Sequence, residues 1–248
     1  ITQCKNEIHN ILQRANIKLT SYLSDIYGVT GMSLLEMFID GEVITEQSLL
    51  PKIHRKVKAT AAELVEAMDG KLSFEDRFLL GQSLEHYRHL VNQIEEITVV
   101  IKQYVLERFE REYNLLIELP GVSAIVACVI LSEIGPNVEA FQSQGNLASW
   151  AGVCPGSYES AGIKKSSHTT QGNKYLKCIL FQAGGTAGRS KDEAFHNLYA
   201  RISGRSSKMK AIIACAHKMI RIIYKILSTG EHYDAKKALG LRQQARAN

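Results

Sequence analysis

Proline is scarce, with four in 248 residues, and tryptophan occurs once. So little proline removes one of the main obstacles to long helices. No apolar run approaches the roughly 20 residues a membrane-spanning helix needs; the longest, Val122 to Leu131, is already broken by Ser123. Five cysteines (Cys4, Cys128, Cys154, Cys178 and Cys215) stand far apart and form no CxxC pair. That odd, scattered set excludes a disulfide framework and a zinc knuckle and suits a reducing cytoplasm. No signal peptide is visible, and the chain starts at Ile1 rather than methionine, so a preceding part is expected.

Acidic residues are also scarce, but only in one half. Residues 1–119 hold 13 Lys/Arg and 18 Asp/Glu, a net −5, whereas residues 120–248 hold 17 and 7, a net +10. The formal total of +5 hides this split. Such asymmetry points to a polyanion partner for the second half. The hydrophobic share of 45% supports a packed core and excludes wholesale disorder.

Apolar residues recur at helical spacing along most of the chain, so the expected fold is mainly α. Residues 1–19 read as one helix, with Ile8, Ile11, Leu12 and Ala15 on one face. Gly28 is a break, and a short apolar helix from Gly31 to Ile39 ends at Asp40-Gly41. Pro51 suits a helix start, because the first turn needs no N–H, and Leu64, Val65 and Met68 give the following helix an apolar side. Ser73 with Asp76 resembles a capped helix start.

Leu84, Tyr87, Val91, Ile94, Thr98, Ile101 and Val105 then step by threes and fours, a heptad seam over about three heptads. One long helix results, paired with another segment or copy, or packed within one subunit. His86 and His89 share a turn of it, and two histidines on a polar face are more often plain surface residues. No metal site is assigned. The expected organisation is a helical linker (1–83), a long coiled-coil-like helix (84–117), a C-terminal domain (118–235) and a basic tail (236–248) that frays.

Three features of the second half bear on chemistry. Pro120, Gly121, Val122 and Ser123 separate two helical patterns, the second ending at Gly135-Pro136. This resembles a helix-hairpin-helix turn, whose helix N-terminus offers free N–H groups to a phosphate; a tight turn between core helices fits the same residues. Trp150 to Leu176 is rich in glycine, hydroxyls and lysine, and reads as a loop able to approach a phosphodiester closely. Its candidate nucleophiles are Ser157, Tyr158, Ser160, Ser166, Ser167 and Tyr175, with His168 as a possible base and Cys154 as a possible reactive thiol. A helix from about Asn173 to Ala183 follows, with Gly184-Gly185 expected to end or kink it. Finally, Ser160 to Lys225 holds 13 Lys/Arg and only two acids, Asp192 and Glu193. Lys174 and Lys177 share a helix side, Arg201, Arg205, Lys208 and Lys210 crowd a turn at Gly204, and Lys218, Arg221 and Lys225 run beside an apolar stripe. Basic stripes backed by apolar ones fit a nucleic-acid-facing surface.

Leu119-Pro-Gly-Val-Ser through Gly135, Leu147-Ala-Ser-Trp-Ala-Gly-Val through Tyr158-Glu-Ser160, and Gly172-Asn-Lys-Tyr-Leu-Lys177 occur in that order and spacing. Together they resemble the C-terminal transposase domain of the IS-one-ten group of insertion-sequence transposases, relatives of the Piv DNA invertase. The preceding residues are similar to that family's helical linker and coiled coil. The resemblance implies DNA transposition or recombination, DNA as a partner, a structured guide RNA in some members, and action as a homo-oligomer. It implies that Ser160 is the nucleophile, with Lys164 and Lys165 candidates to hold phosphate oxygens. It also implies an N-terminal RuvC-like domain, outside this sequence, that supplies Mg2+. A cytoplasmic, nucleoid-associated bacterial protein with no membrane contact is expected.

Overall fold

A computed structural model of the chain describes residues 1–156, 158–160, 163–166 and 168–244, with side chains described for 1–156 and 168–239. The fold is mainly α, as the periodicity predicts. It divides into two compact units, residues 1–97 and 98–248.

The first unit contains α1 (Thr2–Arg14), α2 (Leu19–Tyr22), α3 (Val29–Asp40), α4 (Glu46–Leu49), α5 (Ala61–Ala67) and the start of α6 (Phe74–Ile117). Ile8, Ile11 and Leu12 of α1 are buried with Leu34 and Leu35 of α3, Leu64 of α5, and Leu80 and Leu84 of α6. The first helix is shorter than predicted: it stops at Arg14, and Asn16 then takes a left-handed backbone (φ 59°), which asparagine tolerates better than most residues. Pro51 starts no α-helix. It sits in a single 3-10 turn, and α5 begins instead behind Thr60. There the Thr60 hydroxyl accepts from the Glu63 N–H and the Glu63 carboxylate accepts from the Thr60 N–H, a reciprocal cap that proline cannot provide. The Ser73 start of α6 is as predicted: the Ser73 hydroxyl accepts from the Asp76 N–H at 3.0 Å.

Helix α6 runs through the seam residues, with one non-helical residue, Phe109. Leu84 is buried in the first core and Val105 in the second. Between them Ile94 and Ile101 are 51% and 46% exposed, with Ile97 and Tyr104 also exposed.

The second unit continues with α7 (Ala124–Ile134), α8 (Gln144–Trp150), strands β1 (Tyr158–Ser160) and β2 (Ile163–Ser166), α9 (Lys174–Gly188), α10 (Glu193–Arg205), α11 (Lys208–Thr229) and α12 (Ala235–Gln244). Helix α11 is central, packed against α8, α9 and α10. Its Cys215, Met219, Ile220 and Ile223 lie in a core with Leu176 and Leu180 of α9, Phe195 of α10 and Ile130 of α7.

Two departures from the sequence reading shape this unit. Gly184-Gly185 does not end α9, which continues to Gly188. A Cβ on Gly184 would stand 2.7 Å from the backbone nitrogen of Ala216, so the missing side chain lets α9 and α11 approach closely. Residues 236–244 of the tail expected to fray lie in α12, with Ala238 buried.

Candidate nucleic-acid interface

The segment read as a loop is built on a β-hairpin. Strands β1 and β2 pair antiparallel, with Glu159 opposite Lys164 and Ser160 opposite Ile163. Below them the two chain segments stay paired. The Gly156 N–H donates to the His168 carbonyl at 2.7 Å, and the Thr170 N–H donates to the Cys154 carbonyl at 3.1 Å. This stem is fixed at its base, where the Asn173 N–H donates to the Trp150 carbonyl at 3.0 Å and ties the end of α8 to the start of α9. The Lys177 ammonium donates to the Thr170 carbonyl at 2.9 Å, which pins the stem to α9. The sequence hid the hairpin because its strands are short and its composition is that of a turn. The side chains of Ser160, Lys164 and Lys165 lie outside the described residues, as do Ser157 and Ser167.

The stem forms part of the wall of a cavity of about 610 Å3, through Val153 and Pro155. Helix α10 contributes Asn197, Leu198 and Arg201, and α12 contributes Leu239. Helix α11 contributes Lys210, Ala214, His217 and Arg221, spaced by four, three and four so that they share one face, with Lys218 beside them. Five basic side chains therefore meet at one opening, and among the described residues no Asp or Glu lines it.

The polar contacts of these groups are few. Lys218 donates to the Ala194 carbonyl at 2.8 Å and lies over the Phe195 ring. Burial pushes its ammonium pKa down, partly offset by the nearby Asp192 carboxylate. The Arg221 Nε donates to the Gln144 side chain at 3.1 Å. Burial, and then Arg221, lower the pKa of His217 below the ordinary imidazole value. The Arg201 Nε is buried without a hydrogen-bond partner among the described residues, a costly state for a charged donor.

Of the residues singled out from sequence, Arg201, Lys210, Lys218 and Arg221 line this cavity. Arg205 and Lys208 are exposed at the α10–α11 turn, outside the lining. Lys174 is exposed, its ammonium 4.9 Å from the Tyr175 ring centroid. The basic stripe on α11 divides: Lys218 and Arg221 face the cavity, whereas the Lys225 ammonium lies 4.0 Å from the Glu231 carboxylate. His217, which the sequence did not point to, completes the cluster. It shares a helix face with Ala214 and Arg221, a relation that only the placement of α10 makes meaningful. Cys154 is partly buried and its thiol pKa is raised by burial, with Arg221 pulling the other way. A raised thiol is a poorer nucleophile at neutral pH.

Pro120, Gly121, Val122 and Ser123 form the turn before α7. The Ser123 hydroxyl accepts from the Val126 N–H, capping the helix, and Val122 is buried. Gly121 has φ 85°, and a Cβ there would run into the carbonyl of Ala183 on α9. Core packing thus accounts for this glycine without a phosphate.

Residues 113–200 match the Transposase IS116/IS110/IS902 family. The chain is 31% identical over 157 residues to the putative transposase y4pF/y4sB of Sinorhizobium fredii, covering 60% of this chain and 39% of the relative. It is 28% identical over 158 residues to the pilin gene-inverting protein of Moraxella lacunata, 61% of this chain and 48% of the relative. It is 25% identical over 156 residues to the transposase for insertion sequence element IS1328 of Yersinia enterocolitica, 61% of this chain and 46% of the relative. Each match spans less than half the length of the relative.

Proposed function

The chain carries a transposase domain of the IS116/IS110/IS902 family at residues 113–200, and from that premise we propose that it takes part in DNA strand cleavage and rejoining. The observation that carries the proposal is the meeting of Arg201, Lys210, His217, Lys218 and Arg221 at one cavity, walled by the stem of the hairpin that bears Ser160. Ser160 lies five positions beyond Pro155, at most roughly 17 Å of extended chain. A phosphodiester bound at the cavity mouth is therefore within reach of the hairpin.

In this reading the cavity cations, together with the exposed Arg205, Lys208 and Lys174, neutralise DNA phosphates. Ser160 is the nucleophile. Its Oγ forms a bond to phosphorus as the phosphorus–oxygen bond to the leaving sugar hydroxyl breaks. The serine proton ends on that leaving oxygen, and the reverse step rejoins the strand. A serine hydroxyl needs activation, and this is assigned to a Mg2+-bearing domain of the full protein. Among the described residues no cluster of three His, Cys, Asp or Glu is placed to hold a metal. The exposed Ile94, Ile97 and Ile101 of α6 favour self-association as part of the same function. A structured guide RNA would meet the same cations through its phosphates.

The test is DNA binding by the full chain across a salt series. Phosphate contacts predict a steep linear fall of log affinity with log salt, shallower in Arg201→Gln and Lys210→Gln. A flat profile, or one unchanged in both variants, would refute the interface.

A further inference from the structure

The cavity is larger and more apolar than a phosphate contact requires. A duplex backbone lying across its mouth would reach the cations but leave the walls behind them wet. Those walls include Val153, Leu198, Ile213, Ala214 and Leu239. At about 610 Å3 the space falls in the range of roughly 300–1,000 Å3 that holds a compact organic ligand, and a whole duplex is far too wide to enter. The ligand that fits must be anionic, about the size of one nucleotide, and able to place an uncharged body against an aliphatic wall.

We propose that the cavity receives a single unstacked nucleotide extruded from the DNA, with its phosphate among the cations and its base against the apolar wall. The idea rests on the DNA reading of this same site and deepens it by naming what enters. Two further features fit. Arg201 lines the space, and its guanidinium can donate to a phosphate oxygen or a base ring nitrogen. Asn197, one helical turn before Arg201 on α10, lines the same space and offers both a donor and an acceptor to a base edge. Val153, Leu198, Ile213 and Leu239 offer the base aliphatic contact, and Arg201 and Arg221 offer it a guanidinium plane. The cost of unstacking is lowest for a base that is already unpaired. The site therefore distinguishes an unpaired nucleotide from a paired one.

The experiment titrates the full chain against two labelled duplexes of one sequence. One is fully paired, and the other carries a single unpaired 2-aminopurine nucleotide. The expected result is about tenfold tighter binding of the second, with a change in 2-aminopurine fluorescence on binding. Ala214→Trp and Leu239→Trp, which fill the cavity from different helices, should bring the affinity for the unpaired duplex down to that of the paired one. Arg201→Gln gives a third variant should both tryptophans prevent folding. Equal affinity for the two duplexes in the unaltered chain overturns the proposal and leaves the DNA interface standing. A preference that survives in every folded variant overturns it as well, because the discrimination then lies elsewhere. Failure to bind either duplex at low salt removes the DNA reading and this proposal together.

Discussion

A Cβ on Gly121 would stand 2.9 Å from the backbone nitrogen of Ala187 and nearer still to the carbonyl oxygen of Ala183. The turn before α7 is thus pressed onto the backbone of α9, at a residue whose φ of 85° already disfavours any side chain. Gly121→Ala should therefore destabilise the second unit by roughly 2 kcal/mol or more, combining left-handed strain with overpacking. Urea denaturation followed by circular dichroism measures it. A midpoint equal to that of the unaltered chain would show that the turn is not seated on α9.

The cavity makes an ionic prediction that separates its lysines and arginines from a merely basic surface. Replacing Arg201 or Lys210 with glutamine should each reduce the slope of log affinity against log salt by about 0.9, the release from one phosphate. Fluorescence anisotropy with a fixed duplex over a range of salt gives the slope directly. Loss of affinity at unchanged slope would mean that these residues shape the cavity without touching phosphate.

Local chemistry fixed several features that could be read without a structure. The Ser73 cap needs only its neighbours three residues on, and the end of α3 at Asp40 needs only Gly41. The basic character of the second half is likewise a matter of counting. What could not be read depends on partners distant in sequence. Gly184 looks like a helix breaker until Ala216 is placed against it. Pro51 looks like a helix start until the Thr60–Glu63 cap is seen to compete. His217 carries no signal in the sequence, because α10 and the hairpin stem come together around it only in the fold. The same holds for the seam of α6: its spacing is visible, but the burial of Leu84 and Val105 against the exposure of Ile94 and Ile101 is not.

His217 should make DNA binding depend on pH. Burial and the Arg221 charge hold its pKa down in the free protein, so it is largely neutral there at neutral pH. Arg201, Lys210 and Lys218 line the same space and also oppose its protonation. A phosphate bound beside it favours the imidazolium, so its pKa is higher in the complex and binding takes up a proton. Affinity should then rise as pH falls through the pKa that His217 has in the complex. His217→Gln should flatten this rise, as measured by anisotropy across a buffer series at constant ionic strength. The stability of the free fold moves the opposite way. A histidine with a lowered folded pKa contributes its full share above the unfolded pKa, and that share is lost as pH falls toward the folded value.

Asp192 joins the start of α10 to the segment before α12. One carboxylate oxygen accepts from the Phe195 N–H at 3.1 Å and caps α10, and the other accepts from the Tyr233 hydroxyl at 3.0 Å just before α12. Tyr233→Phe should cost about 1–2 kcal/mol, and Asp192→Ala more, since it also removes the cap. The phenol pKa is raised by burial and then by the Asp192 bond. The unfolded chain therefore loses this proton first as pH rises above about 10, and stability falls there. Thermal melts at pH 7 and pH 10.5 should show that Tyr233→Phe narrows the alkaline loss. An alkaline loss equal to that of the unaltered chain would mean that the bond is absent in solution.

Ser160 stands at the end of β1, beyond a stem whose attachment to α9 runs through Lys177 and the Thr170 carbonyl. In the full-length protein, Ser160→Ala should abolish any covalent protein–DNA adduct trapped by denaturing gel, because no other group is proposed to bond phosphorus. Persistence of the adduct would end the assignment. Lys177 tests the stem separately. Its ammonium is already engaged by a carbonyl, so Lys177→Met should lower the adduct yield by loosening the hairpin, while leaving the salt slope of binding unchanged. A phosphate contact at Lys177 would give a slope reduced by about 0.9 instead. The two measurements together therefore say whether this lysine holds the nucleophile's support or the DNA itself.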